Sequence, residues 1–185
     1  HLACGTSGVG RMPEPQELVE ILADFFATGK ELAEPDEVDS LQHLAEELDF
    51  SGLNILVTAA GTREPIDPVR YIGNRSSGKM GYAIAEAARD LGANVTLISG
   101  PSALTPLAGV NFFKVESARD MRRLVLENFP ESQIVIKAAA VADYRVKNVA
   151  DHKIKKNDEE LTLVLEKNPD ILKELGQKKQ KGQVL

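Results

Sequence analysis

Three polar stretches hold residue types whose spacing suits chemistry on an anion. The first is "GNRSSGKM", residues 73–80, in which a glycine, four residues, a second glycine and a lysine follow one another. Nucleoside triphosphatases share that spacing. Their loop wraps phosphates in backbone N–H groups, and a Ser or Thr after the lysine holds Mg²⁺. Such a loop must follow its strand at once. Here the preceding apolar run ends near Ala60, thirteen positions before Gly73, and Met80 stands where the hydroxyl belongs. The triphosphatase reading is therefore set aside. Ser76, Ser77 and Gly78 still lead straight into a helical pattern, whose first N–H groups suit an anion. A Ser-capped helix with nothing bound accounts for the same residues equally well.

The second stretch is "KAAAVADYR", 137–145, and the third is "HKIKK", 152–156. Asp143 reads either as a ligand contact or as a helix cap. Asn74 reads as a site residue or as an ordinary turn residue. Lys153, Lys155 and Lys156 read as an anion site or as a solvated basic face. Near the start, the single cysteine, Cys4, sits in the glycine-rich run "HLACGTSGVGRM". One cysteine excludes an internal disulfide.

Strand and helix signals position these stretches. Residues 13–30 read as a helix with Pro15 in its first turn and Gly29 at its end. An acidic stretch around Pro35 and a short helix up to Gly52 follow. From there strands alternate with helices. Strands are expected at 54–60, 94–100, 111–116 and 133–143, with a half-exposed one at 160–167. Helices are expected at 79–92, 117–129 and 168–179, the last capped by Asn168, and "GQVL" opens a further strand. This alternation implies an α/β fold, a Rossmann-like open and mostly parallel sheet with helices on both faces, preceded by a helical linker. The loops after Ala60 and Ala140 then fall at the carboxyl ends of strands, where such sheets bind ligands. A nicotinamide fingerprint is missing, because "AAGTREPID" has one glycine where three are needed.

Composition narrows the function classes. Hydrophobic residues make up 43% and charged residues 27%, ordinary for a globular domain. No apolar run is long enough to span a bilayer. The net charge of −6 is uneven: 14–50 hold twelve acidic residues against Lys30, whereas 51–185 hold twenty basic against sixteen acidic. A mildly basic body suits a small anionic substrate. Aromatic residues at 5% and no Trp argue against a nucleic-acid surface.

"TAAGTREPIDPVRYIGNRSSGKMG", "KAAAVADYR" and "HKIKK" closely resemble the phosphopantothenate–cysteine ligase family, and "LACGTSGVGRM" resembles the cysteine loop of the phosphopantothenoylcysteine decarboxylases. The two are commonly fused in bacteria, decarboxylase first. The resemblance implies three parts: a cysteine loop at 1–12, an acidic helical linker at 13–51, and a ligase domain at 52–185 that continues beyond Leu185. It implies CTP-dependent joining of 4′-phosphopantothenate to cysteine through an acyl-cytidylate, with Mg²⁺, and FMN-dependent decarboxylation of the product in coenzyme A biosynthesis. By similarity Asn74 stabilises the acyl intermediate and Arg70 helps hold it. Lys137, Ala138, Ala139 and Asp143 contact the nucleotide, and Lys153 the triphosphate. Cys4 matches the decarboxylase proton donor. The resemblance also implies a cytoplasmic homo-oligomer, dimeric in the ligase part and trimeric in the decarboxylase part, with no nucleic-acid or membrane partner. A chain beginning at His1 and closing on an opening strand is expected to be a piece of a longer protein, inactive alone in both reactions. The competing classes are a nicotinamide-dependent oxidoreductase and a non-catalytic nucleotide-binding or dimerisation module.

Overall fold

The computed structural model describes residues 49–156 and 160–185, within the compact unit Asp49–Leu185. The cysteine loop with Cys4, and the linker up to residue 48, lie outside the described residues.

Four short apolar runs form one parallel sheet. They are β1 (Asn54–Ala59), β4 (Asn94–Ser99), β5 (Asn111–Lys114) and β6 (Ile134–Lys137), in the order β5-β4-β1-β6. A parallel bridge from Val184 to Ile134 extends the β6 edge. After β1 the chain travels outward through β4 and β5, then returns to the other side of β1 as β6. The order therefore reverses beside β1, and a crevice opens at the carboxyl ends of β1 and β6.

Alternation along β1 assigns the helices to opposite faces. Helix α1 (Lys79–Asp90) lies on the face of Ala59. A Cβ at Gly81 would come within 2.5 Å of the Ala59 Cβ and 2.9 Å of the Thr58 carbonyl, so only glycine allows this approach. Gly78 caps the helix with a positive φ of 84°, a conformation natural to glycine. On the opposite face, Leu56, Ile98 and Val135 pack with Met121, Leu124 and Val125 of α2 (Ala118–Asn128) and with Ile171 and Leu175 of α3 (Ile171–Lys178). Ser117 and Asp120 form a reciprocal capping box at the start of α2.

The strand–helix alternation and the open parallel sheet agree with the sequence reading. Four local details differ. The loop after β1 contains an antiparallel hairpin, β2 (Arg63–Pro65) with β3 (Tyr71–Gly73). The strand expected at 133–143 ends at Lys137, because the following N–H groups turn to bond the end of β1. The strand expected at 160–167 is confined to β8 (Leu165–Lys167), and it pairs with β7 (Tyr144–Val146) as a separate antiparallel ribbon. Asp170, not Asn168, caps α3 by accepting from the Lys173 N–H at 3.0 Å. Asn168 is drawn away, its side chain donating to the Ala142 carbonyl at 2.8 Å.

Candidate functional site

The two loops at the carboxyl ends of β1 and β6 are stitched together by backbone and threonine groups. Thr58 accepts the Ala138 N–H on its carbonyl at 3.2 Å and the Ala139 N–H on its hydroxyl at 3.3 Å. The Ala60 carbonyl accepts the Ala140 N–H at 2.8 Å, and the Thr62 hydroxyl accepts the Ala142 N–H at 2.9 Å. Ala60 itself has φ of 61°, a left-handed conformation that costs an alanine about 1 kcal/mol and turns the chain off the end of β1. The alanine turn thus has its donors engaged inside the fold. It offers a ligand carbonyl oxygens and methyl groups at Ala138 and Ala139.

Asn74 stands at the seam. It follows β3 directly, and its carboxamide N–H₂ donates to the Ala140 and Val141 carbonyls, each at 3.3 Å. Both bonds are long and therefore weak. They orient the side chain without locking it.

Two cavities flank this seam. One of about 460 Å³ is lined by Lys137, Val141, Asp143, Asn168 and Asp170. The other, about 270 Å³, is lined by Thr62, Arg63, Tyr71, Asn74, Arg75 and Ser76. The Arg63 guanidinium lies 4.5 Å from the centre of the Tyr71 ring, a cation–π contact that orders one wall. Lys137 is half-buried at the end of β6. Burial pushes its pKa below the ordinary lysine value, and the Asp170 carboxylate opposes this in part. A desolvated ammonium of this kind gains more from an anion than a fully hydrated one.

The hairpin is held by two buried carboxylates that the sequence reading did not single out. Glu64 in β2 accepts from the Ala118 N–H at 2.9 Å, the favourable place for a negative charge at a helix start. Asp67, at the hairpin tip, accepts from the N–H groups of Val69 at 2.9 Å and Arg70 at 2.8 Å. Its other oxygen takes the Arg70 guanidinium at 3.0 and 2.6 Å and the Ile154 N–H at 3.1 Å. The guanidinium and these N–H groups together hold the Asp67 carboxyl well below the usual range. The signal was present: Asp-Pro-Val-Arg is a turn sequence, with Asp first and Pro second.

The expected site residues fall in three places. Lys137 and Asp143 line the larger cavity, with Ala138 and Ala139 on the connecting turn. Asn74 lines the smaller one. Arg70 lies at the hairpin tip, where it is paired with Asp67 and donates to the carbonyl of Ile154, the residue after Lys153, at 3.2 Å. Lys153 itself is exposed. The rejected triphosphatase loop stays rejected, because residues 71–73 form the second hairpin strand and not a turn leaving β1. The first turn of α1 contains no acidic side chain, and its N-cap Gly78 makes no side-chain bond; the Ser77 hydroxyl accepts the Lys79 N–H at 3.4 Å. Among the described residues no group of three or more His, Cys, Asp or Glu is placed to hold a metal ion, and no helix is long and apolar enough to cross a membrane.

Known proteins share this architecture. The chain is 49% identical over 174 residues to the coenzyme A biosynthesis bifunctional protein CoaBC of Haemophilus influenzae, covering 94% of this chain and 39% of that protein. The Bacillus subtilis protein of the same name is 49% identical over 186 residues, 100% of this chain and 42% of that one. The chain thus spans about two fifths of the length of these relatives. Among solved structures, the C-terminal domain of a CoaBC bifunctional protein superposes with a TM-score of 0.64 at 50% identity, over 73% of this chain and 63% of that one. A DNA/pantothenate metabolism flavoprotein from Streptococcus pneumoniae gives a TM-score of 0.60 at 29% identity, over 68% and 65% of the two chains. The family profile described as the DNA/pantothenate metabolism flavoprotein C-terminal domain matches residues 50–185, which include the whole sheet and both cavities. With the stitched loops and the match spanning the same residues, the chain belongs to the DNA/pantothenate metabolism flavoprotein C-terminal domain family.

Proposed function

We propose that this chain is the ligase part of a bifunctional coenzyme A biosynthesis enzyme and joins 4′-phosphopantothenate to cysteine at the expense of CTP. The observation that carries the reading is the Asn74 carboxamide seated on the Ala140–Val141 backbone between two cavities. One cavity suits a nucleotide and the other its anionic acyl partner.

In the first step a carboxylate oxygen of 4′-phosphopantothenate bonds to the α-phosphorus of CTP, and the bond to the β-phosphate oxygen breaks to release pyrophosphate. In the second step the cysteine amine bonds to the acyl carbon, CMP leaves with its phosphate oxygen, and the amine gives up a proton. The first step brings anions together, so preorganised cations and donors must offset their repulsion. Lys137 supplies a desolvated charge to the larger cavity, where Asp143 and the carbonyls of Ala138 and Ala139 contact the nucleotide. Lys153 meets the triphosphate, with Arg70 beside it. Asn74 donates to the acyl oxygen where charge develops. Mg²⁺, if bound with CTP, would supply further positive charge against the triphosphate, beside the charge that Lys137 and Lys153 contribute.

The companion activity is FMN-dependent decarboxylation of the ligation product to 4′-phosphopantetheine, with Cys4 as proton donor and most flavin contacts elsewhere in a longer protein. We place the enzyme in the cytoplasm as a homo-oligomer, dimeric through the ligase and trimeric through the decarboxylase, with both activities belonging to the full-length protein. Thermal unfolding of the full-length protein tests the nucleotide assignment. Stabilisation by CTP with Mg²⁺, and little by NADH or ATP, supports it; no response to CTP sinks it.

A further inference from the structure

Lys153 is exposed and belongs to no helix or strand, yet its proposed work on a triphosphate needs a defined starting point. A flexible lysine loses rotamer freedom when fixed, and a mobile backbone beneath it would add to that cost. The structure supplies the missing anchor one residue further on. The Asp67–Arg70 pair grips both polar groups of the Ile154 backbone: the N–H donates to Asp67 Oδ2 at 3.1 Å, and the carbonyl accepts from Arg70 Nη2 at 3.2 Å. The grip itself is braced by further hydrogen bonds. Asp67 is 2% exposed, its second oxygen is held by the N–H groups of Val69 and Arg70, and the Ile66 carbonyl accepts from the Ala150 N–H at 3.0 Å on the same segment. The hairpin bearing this tip ends at Gly73, immediately before Asn74.

We propose that Asp67 is a positioning residue for the ligase reaction, acting through Arg70 and the Ile154 backbone to set the base of Lys153 in register with the hairpin that carries Asn74. It touches no reacting atom. The proposal rests on the ligase reading above and deepens it: Arg70 acts first as half of a clamp and only then as a charge near the substrate.

The test uses the full-length protein with CTP, 4′-phosphopantothenate and cysteine. Asp67→Asn keeps an oxygen for the backbone donors but loses the charge that holds Arg70. It raises the KM for CTP about tenfold, and Lys153→Gln does the same. The double variant is no worse than Lys153→Gln within about twofold, because residues acting through one another are not additive. Additive losses in the double variant, or a KM for cysteine that rises as much as that for CTP, overturn the proposal. Residue-resolved amide exchange tests the clamp independently of activity. The Ile154 amide is protected in the wild-type protein and exchanges with its neighbours Lys155 and Lys156 in Asp67→Asn, while β1 amides keep their protection. A wild-type Ile154 amide that exchanges as fast as Lys155 and Lys156 overturns the clamp even if no variant folds. Absence of CTP-dependent ligation by the wild-type protein instead overturns the ligase reading and with it the action on Lys153, whatever the exchange result.

Discussion

The Asn74 carboxamide donates to the Ala140 carbonyl at 3.3 Å, across 66 positions of sequence, and so joins the loop leaving β1 to the loop leaving β6. The contact lies where the strand order reverses, beside the bonds from Thr58, Ala60 and Thr62 to the same loop.

Replacing Asn74 by Asp puts a carboxylate against the Ala140 and Val141 carbonyls and, in the proposed reaction, next to the substrate anions. We expect amide formation to fall by at least about a hundredfold, the scale of losing one donor to a developing charge, while CTP affinity changes little. Steady-state turnover with CTP titrations checks this, and unchanged turnover removes Asn74 from the reaction.

Lys137 offers a prediction with opposite signs for folding and binding. Its pKa is lowered by burial, so the folded state carries the ammonium at a cost. That cost is present below the folded pKa and is relieved as pH rises through it toward the unfolded value. Lys137→Met is therefore expected to raise Tm at neutral pH and to weaken CTP binding about tenfold, the worth of one charge-assisted hydrogen bond. A lower Tm with unchanged CTP affinity contradicts the assignment.

Asp67 predicts the acid limb of stability. Its folded pKa is depressed, so its contribution is complete above the ordinary carboxylate range, about pH 4, and is lost as pH falls toward the folded pKa. Urea midpoints measured from pH 7 to pH 3 should fall more steeply for the wild-type protein than for Asp67→Asn. Parallel curves would show that the carboxylate is not held as described.

Two helical glycines make a paired test of packing. Gly81→Ala meets Ala59 and Thr58, whereas a Cβ at Gly176 meets nothing within 4 Å. Alanine favours a helix by about 1 kcal/mol over glycine, so Gly176→Ala should stabilise by about that amount. Gly81→Ala should destabilise by about 1–3 kcal/mol, the scale of overpacking. Equal Tm shifts in the two variants would mean α1 does not approach β1 this closely.

The sheet was legible because its strands are short apolar runs between glycine-rich turns, and a buried parallel strand has few other signatures. The failure of "GNRSSGKM" as a triphosphatase loop was legible from distance alone, and β3 explains that distance. Residues tied to distant backbone were harder to read. Thr58, Thr62 and Glu64 bond partners 54 to 81 positions away, and no local pattern reports such a contact. Asp67 differs, since its turn sequence announces the N–H groups of Val69 and Arg70, though not Ile154. Asn168 misled for a similar reason: Asn before Pro resembles a helix start, but tertiary bonds to Ala142 and Asp143 claimed it.

Full-length protein mixed with 4′-phosphopantothenate, cysteine, CTP and Mg²⁺, with products quantified by chromatography in the absence of added flavin reductant, measures the proposed ligation itself. One CMP and one pyrophosphate are expected for every amide bond formed, and no CMP when 4′-phosphopantothenate is withheld. Failure of CTP to support amide formation, or CTP cleavage to CDP and phosphate, overturns the ligase reading.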